Sequence, residues 1–560
     1  MKHRILGSLL ALFGSIAVQA QQASVRVAAK ASTASRAPAP AAPADPAATY
    51  AATIQQADLR RHLTTLASDE FQGRETGQAG QKLAADYLTK QMAALGLQGP
   101  VRGSDNPYQQ PFQVERGTAV AGGYLQVNGQ KYTWLHDFFS YGPLLSPFPA
   151  ATVGQPVFAG FGIDQANYSD YTGLDVQGKD VLVLMGEPQD ARGRNLLTGT
   201  KEGGEWESGV KKIMTAKQKG ARSIFFLTFG STPDFQAQAA RLAPALSEPA
   251  FALSDPGAEV ADPEREEAPS GIGVYLVSPE LGQQLAGTTE ANLRGYVGAI
   301  GKKKGPVPVT FHPPAFTVFL PQRQEKLTTE NVLGFLEGTD RKAEVLVVSA
   351  HYDHLGVKHD TIYNGADDDG SGTTAVLEIA QAFSQAKKDG HGPRRSILFL
   401  LTTGEEEGLF GSQYYTGHPV LPLATTVANL NIDMVGRTDK THAGKPDFVY
   451  VVGSDKLSWE LHTINEAANT KYGHLTLDYA YNADDDPEQL YYRSDHYNFA
   501  KHKIPVAFFT SGLHADYHKA TDDVDKIEFE PLEKRTRLIF HTAWELANRD
   551  NRVALDATKP

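Results

Sequence analysis

The feature that most constrains the fold of this chain is an alternation of apolar strand segments with helical segments, from about residue 330 onward. Three apolar segments are continuous runs, as expected for strands buried on both faces: E-V-L-V-V-S-A, R-S-I-L-F-L-L-T-T and V-A-N-L-N-I-D-M-V. Between and after them lie helical patterns, including T-T-A-V-L-E-I-A-Q-A-F and P-L-E-K-R-T-R-L-I-F-H-T-A-W-E-L-A. The alternation predicts an α/β fold with a mixed, largely parallel sheet and helices on both faces.

Acidic and histidine side chains follow these strands where each strand is predicted to end. In open α/β sheets, sites form just beyond the carboxyl ends of the strands. Five potential metal ligands fall at such places: His351, Asp368, Glu406, Asp433 and His518. Taken singly, each has a simpler interpretation, such as a hydrogen-bonded histidine, a helix cap in D-D-D-G-S-G or a solvated E-E-E turn. Together, at one edge of one sheet, they favour a metal site.

The chemistry of these five side chains indicates which ions they suit. Two imidazoles and three carboxylates match borderline divalent ions such as Zn²⁺. A tetrahedral catalytic zinc uses three protein ligands and leaves a position for water, so five ligands exceed one site. If one carboxylate bridges, the five make a two-metal site with an open position, which is typical of hydrolases.

Length and composition limit the number of domains, the possible binding partners and the available chemistry. A chain of 560 residues is too long for one hydrophobic core, so two or more domains are expected. The formal net charge of −12 argues against nucleic acid or an anionic membrane as a partner. The absence of cysteine excludes disulfides, a thiol nucleophile and cysteine zinc ligands.

The first residues have the pattern of an export signal. A basic M-K-H-R is followed by an apolar stretch and by V-Q-A, which predicts a signal peptide over residues 1–20. The apolar stretch is too short to span a bilayer, so no stable membrane anchor is expected in the mature form. The protein is therefore expected to be exported, to the periplasm or the medium.

Changes in composition and residue pattern divide the rest of the chain into segments. An Ala/Pro-rich linker is predicted over residues 21–48, and helices leading into the catalytic domain over 49–112. Residues 113–324 read as an inserted β-rich region, in which the polar, Pro-rich segment 232–269 is expected to form a loop. The main α/β domain is predicted over 325–551, with a tail over 552–560.

Six motifs in order resemble those of the two-zinc exopeptidases of metallopeptidase family 28, the secreted bacterial aminopeptidases: H-Y-D-H, G-A-D-D-D-G-S-G, G-E-E-E-G-L-F-G-S, N-I-D-M-V-G, R-S-D-H and D-Y-H-K-A-T-D-D. The resemblance covers about residues 331–551. The inserted region, with V-F-A-G-F-G and Y-T-G-L-D-V-Q-G-K-D-V-L-V-L, looks like a protease-associated domain. The resemblance thus implies the zinc exopeptidase fold with such an insertion.

The resemblance also implies a role for each residue that matches a motif. Asp368 would bridge two zinc ions, one held with His351 and Asp433, the other with Glu406 and His518. Glu405 would be the general base, and Asp353 would orient the imidazole of His351. Tyr517 would donate to the oxyanion. His514 is a rival ligand, while His354 and His496 are expected to be hydrogen-bonded.

The function that follows is an exported aminopeptidase acting on peptides. A carboxypeptidase or dipeptidase on the same fold stays open, with Arg437 and Arg493 as candidates to hold a terminal carboxylate. A glutaminyl cyclase is less favoured because its single zinc does not require all five ligands. An inactive binding protein is disfavoured by the retention of Glu405 and every ligand.

Overall fold

The computed structural model describes residues 45–140, 151–255, 257 and 272–556. The predicted signal peptide and residues 21–44 of the predicted linker lie outside the described residues. Residues 46–48, also predicted as linker, instead begin a helix. The Asp45 side chain accepts a hydrogen bond from the Ala47 amide, and Pro46 suits the first helical turn. None of the helices within the described ranges is long and apolar enough to cross a membrane.

The secondary structure within these ranges consists of many short elements. The α-helices, in chain order, are α1 (Pro46–Ala51), α2 (Gln56–Leu66), α3 (Ala79–Ala94), α4 (Val210–Gln218), α5 (Thr232–Leu246), α6 (Pro279–Ala286), α7 (Glu290–Lys303), α8 (Gly372–Lys388), α9 (Phe410–Gly417), α10 (Trp459–Ala468), α11 (His496–Lys501) and α12 (Phe529–Asn548). The strands are β1 (Gln109–Ala119), β2 (Tyr124–Val127), β3 (Gln130–Thr133), β4 (Phe138–Ser140), β5 (Ala151–Val153), β6 (Val157–Phe158), β7 (Asp164–Gln165), β8 (Tyr168–Ser169), β9 (Asp180–Leu184), β10 (Ser223–Leu227), β11 (Ala250–Leu253), β12 (Gly273–Val277), β13 (Phe316–Phe319), β14 (Gln322–Leu336), β15 (Arg341–His351), β16 (Gly356–Lys358), β17 (Thr361–Tyr363), β18 (Arg395–Thr402), β19 (Thr426–Ile432), β20 (Phe448–Val452), β21 (Thr476–Asp478) and β22 (Val506–Thr510).

The largest sheet has the strand order β11-β1-β14-β18-β15-β19-β22-β20-β21. Its four central strands, β18, β15, β19 and β22, are mutually parallel, whereas β14 and β20 flank them in antiparallel orientation. The carboxyl ends of the four central strands therefore meet at one edge, where a site is expected.

Helices cover both faces of this sheet. Along β15, Leu346 and Val348 point to one face and pack in a core with Phe383 of α8. The intervening Val347 points to the opposite face, in a core with Tyr415 of α9. Because both faces are buried, the central strands need continuous apolar runs. The predicted mixed, largely parallel α/β sheet is confirmed.

The inserted region has its own sheets and its own core. A five-stranded sheet has the order β4-β12-β10-β9-β6 and a four-stranded sheet the order β3-β2-β13-β5. Between them, Phe225 stacks on Tyr275 with ring centroids 4.6 Å apart and meets Phe316 edge-on. The region also carries α4 to α7, so it is less purely β than its sequence texture predicted.

Three strands that lie at least partly in this region, β1, β11 and β14, belong to the large sheet. β1 and β14 form a long antiparallel ribbon from the pair Gln109–Val332 to the pair Ala119–Gln322. The predicted boundaries at residues 112/113 and 324/325 fall inside this ribbon, which carries the chain out of the large sheet and back.

The prediction of a loop over residues 232–269 is wrong where the structure describes this segment, because it forms a helix and a strand there. α5 begins where the Ser231 side chain accepts a hydrogen bond from the Asp234 amide, and an Ala-rich stretch follows with good helix propensity. β11 then pairs with β1 at the edge of the large sheet. Residues 256 and 258–269 lie outside the described residues.

Candidate metal centre

The carboxyl edge of the parallel strands collects the five predicted ligands. His351 is the last residue of β15, Asp433 directly follows β19, and Glu406 lies in the turn after β18. His518 lies in the loop after β22, and Asp368 in the irregular helical turn Ala366–Ser371 that precedes α8. These strands are far apart in the chain but adjacent in the sheet, so the polar residues at their carboxyl ends lie close together.

The two oxygens of Asp368 face two different groups of ligands. Its Oδ1 lies 3.3 Å from His351 Nε2, and that nitrogen lies 3.6 Å from Asp433 Oδ1. Its Oδ2 lies 3.2 Å from His518 Nε2, which is 3.0 Å from Glu406 Oε2. Asp368 thus occupies the position of a bridging carboxylate between two sets of donors.

These donors are buried without protein partners that would satisfy them. Within the described ranges, His351 Nε2 and Asp368 Oδ2 are buried and make no hydrogen bond. The His518 side chain, at 38% exposure, is the most open of the set. Unpartnered buried polar atoms are costly, and divalent cations between them would remove that cost. The residues therefore fit a pair of metal ions held by nitrogen and oxygen.

The charges on the cluster are mutually stabilised. Burial favours neutral Asp368, but the imidazoles of His351 and His518 beside its two oxygens outweigh burial and hold the pKa of Asp368 well below the usual value. Burial opposes charge on His518 as well, yet Asp368 and Glu406 outweigh it and raise its pKa to about 10. The carboxylates thus attract positive charge to this point, whether protons or metal ions.

Glu405 occupies a different position from its neighbour Glu406. Its Oε2 lies 3.8 Å from His351 Nε2 and lines the pocket that opens over Asp368 and Asp433. Burial raises the pKa of Glu405 well above the usual value, and the adjacent carboxylates of Asp433 and Glu406 act in the same direction against His351. A carboxyl group in this position takes up a proton readily.

His354 lies against the cluster and makes a hydrogen-bonding contact with the ligand Glu406, in line with the role expected from the sequence. Its Nδ1 is 2.6 Å from Glu406 Oε1 and 3.9 Å from Asp368 Oδ2, and its side chain is fully buried. It holds the Glu406 oxygen that faces away from His518. The signal in the sequence was the second histidine of H-Y-D-H.

A layer of buried groups orients the ligands. Asp353 Oδ1 lies 3.5 Å from His351 Nδ1, and its Oδ2 accepts a hydrogen bond from the Thr76 hydroxyl at 2.9 Å. Asp522 Oδ2 accepts from the amides of Asp367 and Asp368, at 3.0 and 3.1 Å. Such contacts fix ligand orientation, and Thr76 and Asp522 were not identified from the sequence.

A hydrogen-bond chain crosses the sheet to Asp433. The Ser349 hydroxyl donates to Asn431 Oδ1 at 2.7 Å, and Asn431 Nδ2 donates to the Ser494 hydroxyl at 2.8 Å. Ser494 in turn donates to Asp433 Oδ2 at 2.7 Å. Asp433 therefore keeps its Oδ1 free to face His351.

Arg74 secures the loop that carries Asp368 through backbone carbonyls. Its guanidinium is buried and donates to the carbonyls of Tyr352, Leu66, Asn364 and Gly365, at 2.7 to 2.9 Å. The segment F-Q-G-R-E-T-G, which precedes α3, thus supports both the His351 strand end and the Asp368 turn.

Tyr517 and Arg493 line the same pocket as Glu405. Arg493 Nη2 lies 3.2 Å from the Tyr517 hydroxyl, for which it is a donor. Burial, together with the carboxylates of Asp368 and Glu406, raises the pKa of Tyr517 above its usual value. The tyrosine therefore keeps its proton near neutral pH and is available as a hydrogen-bond donor.

The remaining histidines lie outside the ligand cluster. His514 Nε2 faces Asp367 Oδ2 at 3.2 Å, so the rival ligand predicted from the sequence sits behind the Asp368 turn. His496 stacks on Phe508 with ring centroids 4.7 Å apart, and burial lowers its pKa to about 3. His514 and His496 therefore make contacts within the protein framework.

Known proteins are similar to this chain in sequence and in fold. The family model described as Peptidase family M28 matches residues 331–543. Aminopeptidase YwaD of Bacillus subtilis strain 168 is 27% identical over 233 residues, covering 40% of this chain and 46% of the relative. Leucine aminopeptidase 1 of Sclerotinia sclerotiorum is 30% identical over 219 residues, covering 37% of this chain and 54% of the relative. The chain spans about half the length of these curated relatives.

A solved structure, an aminopeptidase from Aneurinibacillus sp. strain AM-1, covers 91% of this chain and 98% of its own, with a TM-score of 0.53. At 19% identity, the likeness is one of fold.

Proposed function

We propose that this chain, which matches peptidase family M28 over residues 331–543, is a metal-dependent aminopeptidase that removes N-terminal residues from peptides. The observation that carries the proposal is the division of the Asp368 oxygens between two donor sets, His351 with Asp433 and Glu406 with His518. The names of the matched relatives, an aminopeptidase and a leucine aminopeptidase, support the same activity.

The donors suit two zinc ions. One ion would be held by His351, Asp433 and Asp368, and the other by Glu406, His518 and Asp368. Bound zinc supplies a Lewis acid for the scissile carbonyl and lowers the pKa of a water molecule toward neutrality. Asp353, behind His351, fixes the ring so that Nε2 faces the first ion.

Two side chains move or donate protons in this proposal. Glu405, which faces the pocket, takes the proton from the attacking water and delivers it to the leaving amine. Tyr517, protonated and within the same pocket, donates a hydrogen bond to the oxygen that becomes negative during attack.

The pocket electrostatics favour an N-terminus over an internal peptide bond. Glu405 and Asp433 both line it, and their carboxylates attract the positive α-amine of a peptide. Arg493 lines the same pocket, and its side chain is 36% exposed. This position favours a carboxypeptidase as the second candidate function. The Arg493 guanidinium is a suitable partner for a terminal carboxylate.

The test is the order in which residues leave a peptide. Peptides with free or acetylated N-termini, and with free or amidated C-termini, are incubated with the protein before and after chelation and zinc add-back. We expect release from the free N-terminus only, lost with chelator and restored by zinc. Release from the C-terminus would establish the carboxypeptidase instead, and no release from any peptide would overturn peptidase activity.

We also propose that the protein is exported and that the inserted region is a protease-associated domain, on the sequence patterns at residues 1–20 and 113–324. N-terminal sequencing of the native protein checks the first point, and we expect the mature chain to begin after Ala20. A chain that retains Met1 in the cell interior would contradict it.

A further inference from the structure

A second cavity adjoins the metal pocket. Leu513 lines both, so the pocket over Asp368 and Glu405 and a second, open groove are neighbours at this side chain. The groove is lined by residues between 437 and 446, which follow the ligand Asp433, by residues 513–515, which precede the ligand His518, and by Glu528. A peptide held in the metal pocket therefore lies close to this groove.

The acidic side chains of the groove are engaged with the protein. Asp439 is buried, and its oxygens accept hydrogen bonds from the His442 amide and the Tyr450 hydroxyl, each at 2.9 Å. Glu528 accepts a hydrogen bond from the Thr438 hydroxyl. These carboxylates are directed into the protein framework rather than toward a ligand.

Two cations at the edge of the groove share one carboxylate. Arg437 Nη2 lies 3.1 Å from Asp516 Oδ2, but the same carboxylate also receives Lys526 Nζ at 2.7 Å on its Oδ1. One carboxylate therefore serves two cations, and Lys440 adds a third cation to the groove wall. Among the residues that the structure describes, Arg437 Nη1 is buried and has no acceptor.

We propose that this groove binds a carboxylate of the substrate on the leaving-group side of the scissile bond, with Arg437 as its hydrogen-bond donor. The proposal rests on the proposed function, because it places the peptide N-terminus in the metal pocket. A guanidinium pairs with a carboxylate in a planar, charge-assisted geometry. The Arg437 side chain lines the open groove while its Nη2 contacts Asp516. The carboxylate is either the C-terminus of a short peptide or an acidic side chain.

The experiment compares free-acid and amidated peptides of the same sequence. Leu-Gly, Leu-Gly-Gly and Leu-Gly-Gly-Gly are assayed in both forms with the zinc-loaded protein, together with amidated peptides that carry Glu at each position after Leu. We expect a carboxylate to raise kcat/KM roughly tenfold or more at the length or position that reaches Arg437, mainly through a lower KM. An advantage of the free acids identifies the C-terminus, and an advantage of the amidated Glu peptides identifies a side chain.

The variants separate binding from support of the His518 loop. Arg437→Met should abolish the carboxylate advantage while leaving zinc content and the kcat/KM of the plain amidated peptides within about twofold, and Arg437→Lys should restore part of the advantage. Arg394→Met is the matched control, since Arg394 also binds carboxylates, Asp340 and Asp550, but lies outside the groove. It should leave the advantage unchanged.

Several results would overturn the groove proposal. One is a wild-type protein that cleaves acids and amides equally at every length and gains nothing from Glu, a result that needs no variant. Another is an advantage that survives in Arg437→Met, or a variant that slows acids and amides equally, as expected if Arg437 acts only through Asp516. If no peptide is cleaved in any form, the proposed function fails and the groove proposal fails with it.

Discussion

At the scale of single residues, the adjacent glutamates 405 and 406 have different surroundings and therefore different expected roles. Glu406 is held by His354 and His518, whereas Glu405 faces the open pocket. We expect Glu405→Gln to lower kcat by at least roughly a hundredfold while zinc content stays at the wild-type level. Kinetics with metal analysis of the same sample checks this, and Glu407→Gln, next in sequence, is the control. A variant that is inactive because it has lost zinc would make Glu405 a ligand.

Ser494 is the last residue of the hydrogen-bond chain that leads to Asp433. Ser494→Ala removes the hydrogen bond to Asp433 Oδ2 and leaves Asn431 Nδ2 without an acceptor. We expect zinc affinity to fall by about tenfold to a hundredfold. Zinc titration against a competing chelator measures this.

The matched control for Ser494 is Ser384→Ala in α8. This serine is also buried, and its hydroxyl makes no hydrogen bond within the described residues. It should leave zinc affinity unchanged. Equal affinities in wild type and Ser494→Ala would mean that the hydrogen-bond chain supports the sheet and not the ligand.

At the scale of elements, the segment before α3 is the least expected support of the site. Arg74 donates to four backbone carbonyls, one of which belongs to Gly365 in the Asp368 loop. Arg74→Met leaves these buried carbonyls without donors, so we expect the free energy of unfolding to fall by about 3 kcal/mol or more. Urea unfolding measures this.

The control for Arg74 is an arginine whose contact is exposed. Arg61 pairs with Asp58 while 54% of its side chain is exposed, so Arg61→Met should cost less than about 1 kcal/mol. If Arg74→Met were as mild as Arg61→Met, the Asp368 loop would not depend on the segment before α3.

The sequence predicted the elements that carry the ligands because their signals are local. Continuous apolar runs mark β15 and β18, and the charged residues that follow them mark the edge of the sheet. The contacts of Arg74 and Ser494 could not be predicted, since each joins segments that are far apart in the chain and no local pattern encodes such pairing. The sequence does not indicate α5 because its Pro residues are typical of a loop, although Ser231 caps the helix.

At the scale of the whole molecule, a buried acid makes stability depend on pH. Glu378 of α8 faces His62 of α2 at 3.6 Å, near Asp58, Arg61 and Tyr87. Burial raises the pKa of Glu378 to about 8 and lowers the pKa of His62 to about 4. Well above pH 6.5 His62 is neutral in both states, and at pH 6.5 it contributes equally to wild type and to a Glu378 variant, whereas Glu378 holds a proton only when the protein is folded.

Stability should therefore fall as pH rises from 6.5 to 8, because the folded state binds the proton that the unfolded state has released. Glu378→Gln carries no titrating group, so its free energy of unfolding should fall less over this range, by roughly 1–2 kcal/mol. Urea unfolding of both proteins at pH 6.5 and 8.5 checks the sign. Identical pH dependences would show that Glu378 is ionised in the folded protein.

The two-metal site depends on the whole assembly, since four strands and two loops must place two ions around one carboxylate. Anomalous diffraction at the zinc edge, from crystals of the zinc-loaded protein, locates these ions. We expect two peaks on either side of Asp368, one beside His351 and Asp433 and the other beside Glu406 and His518. A single peak, or two peaks that do not share Asp368, would contradict the two-metal account.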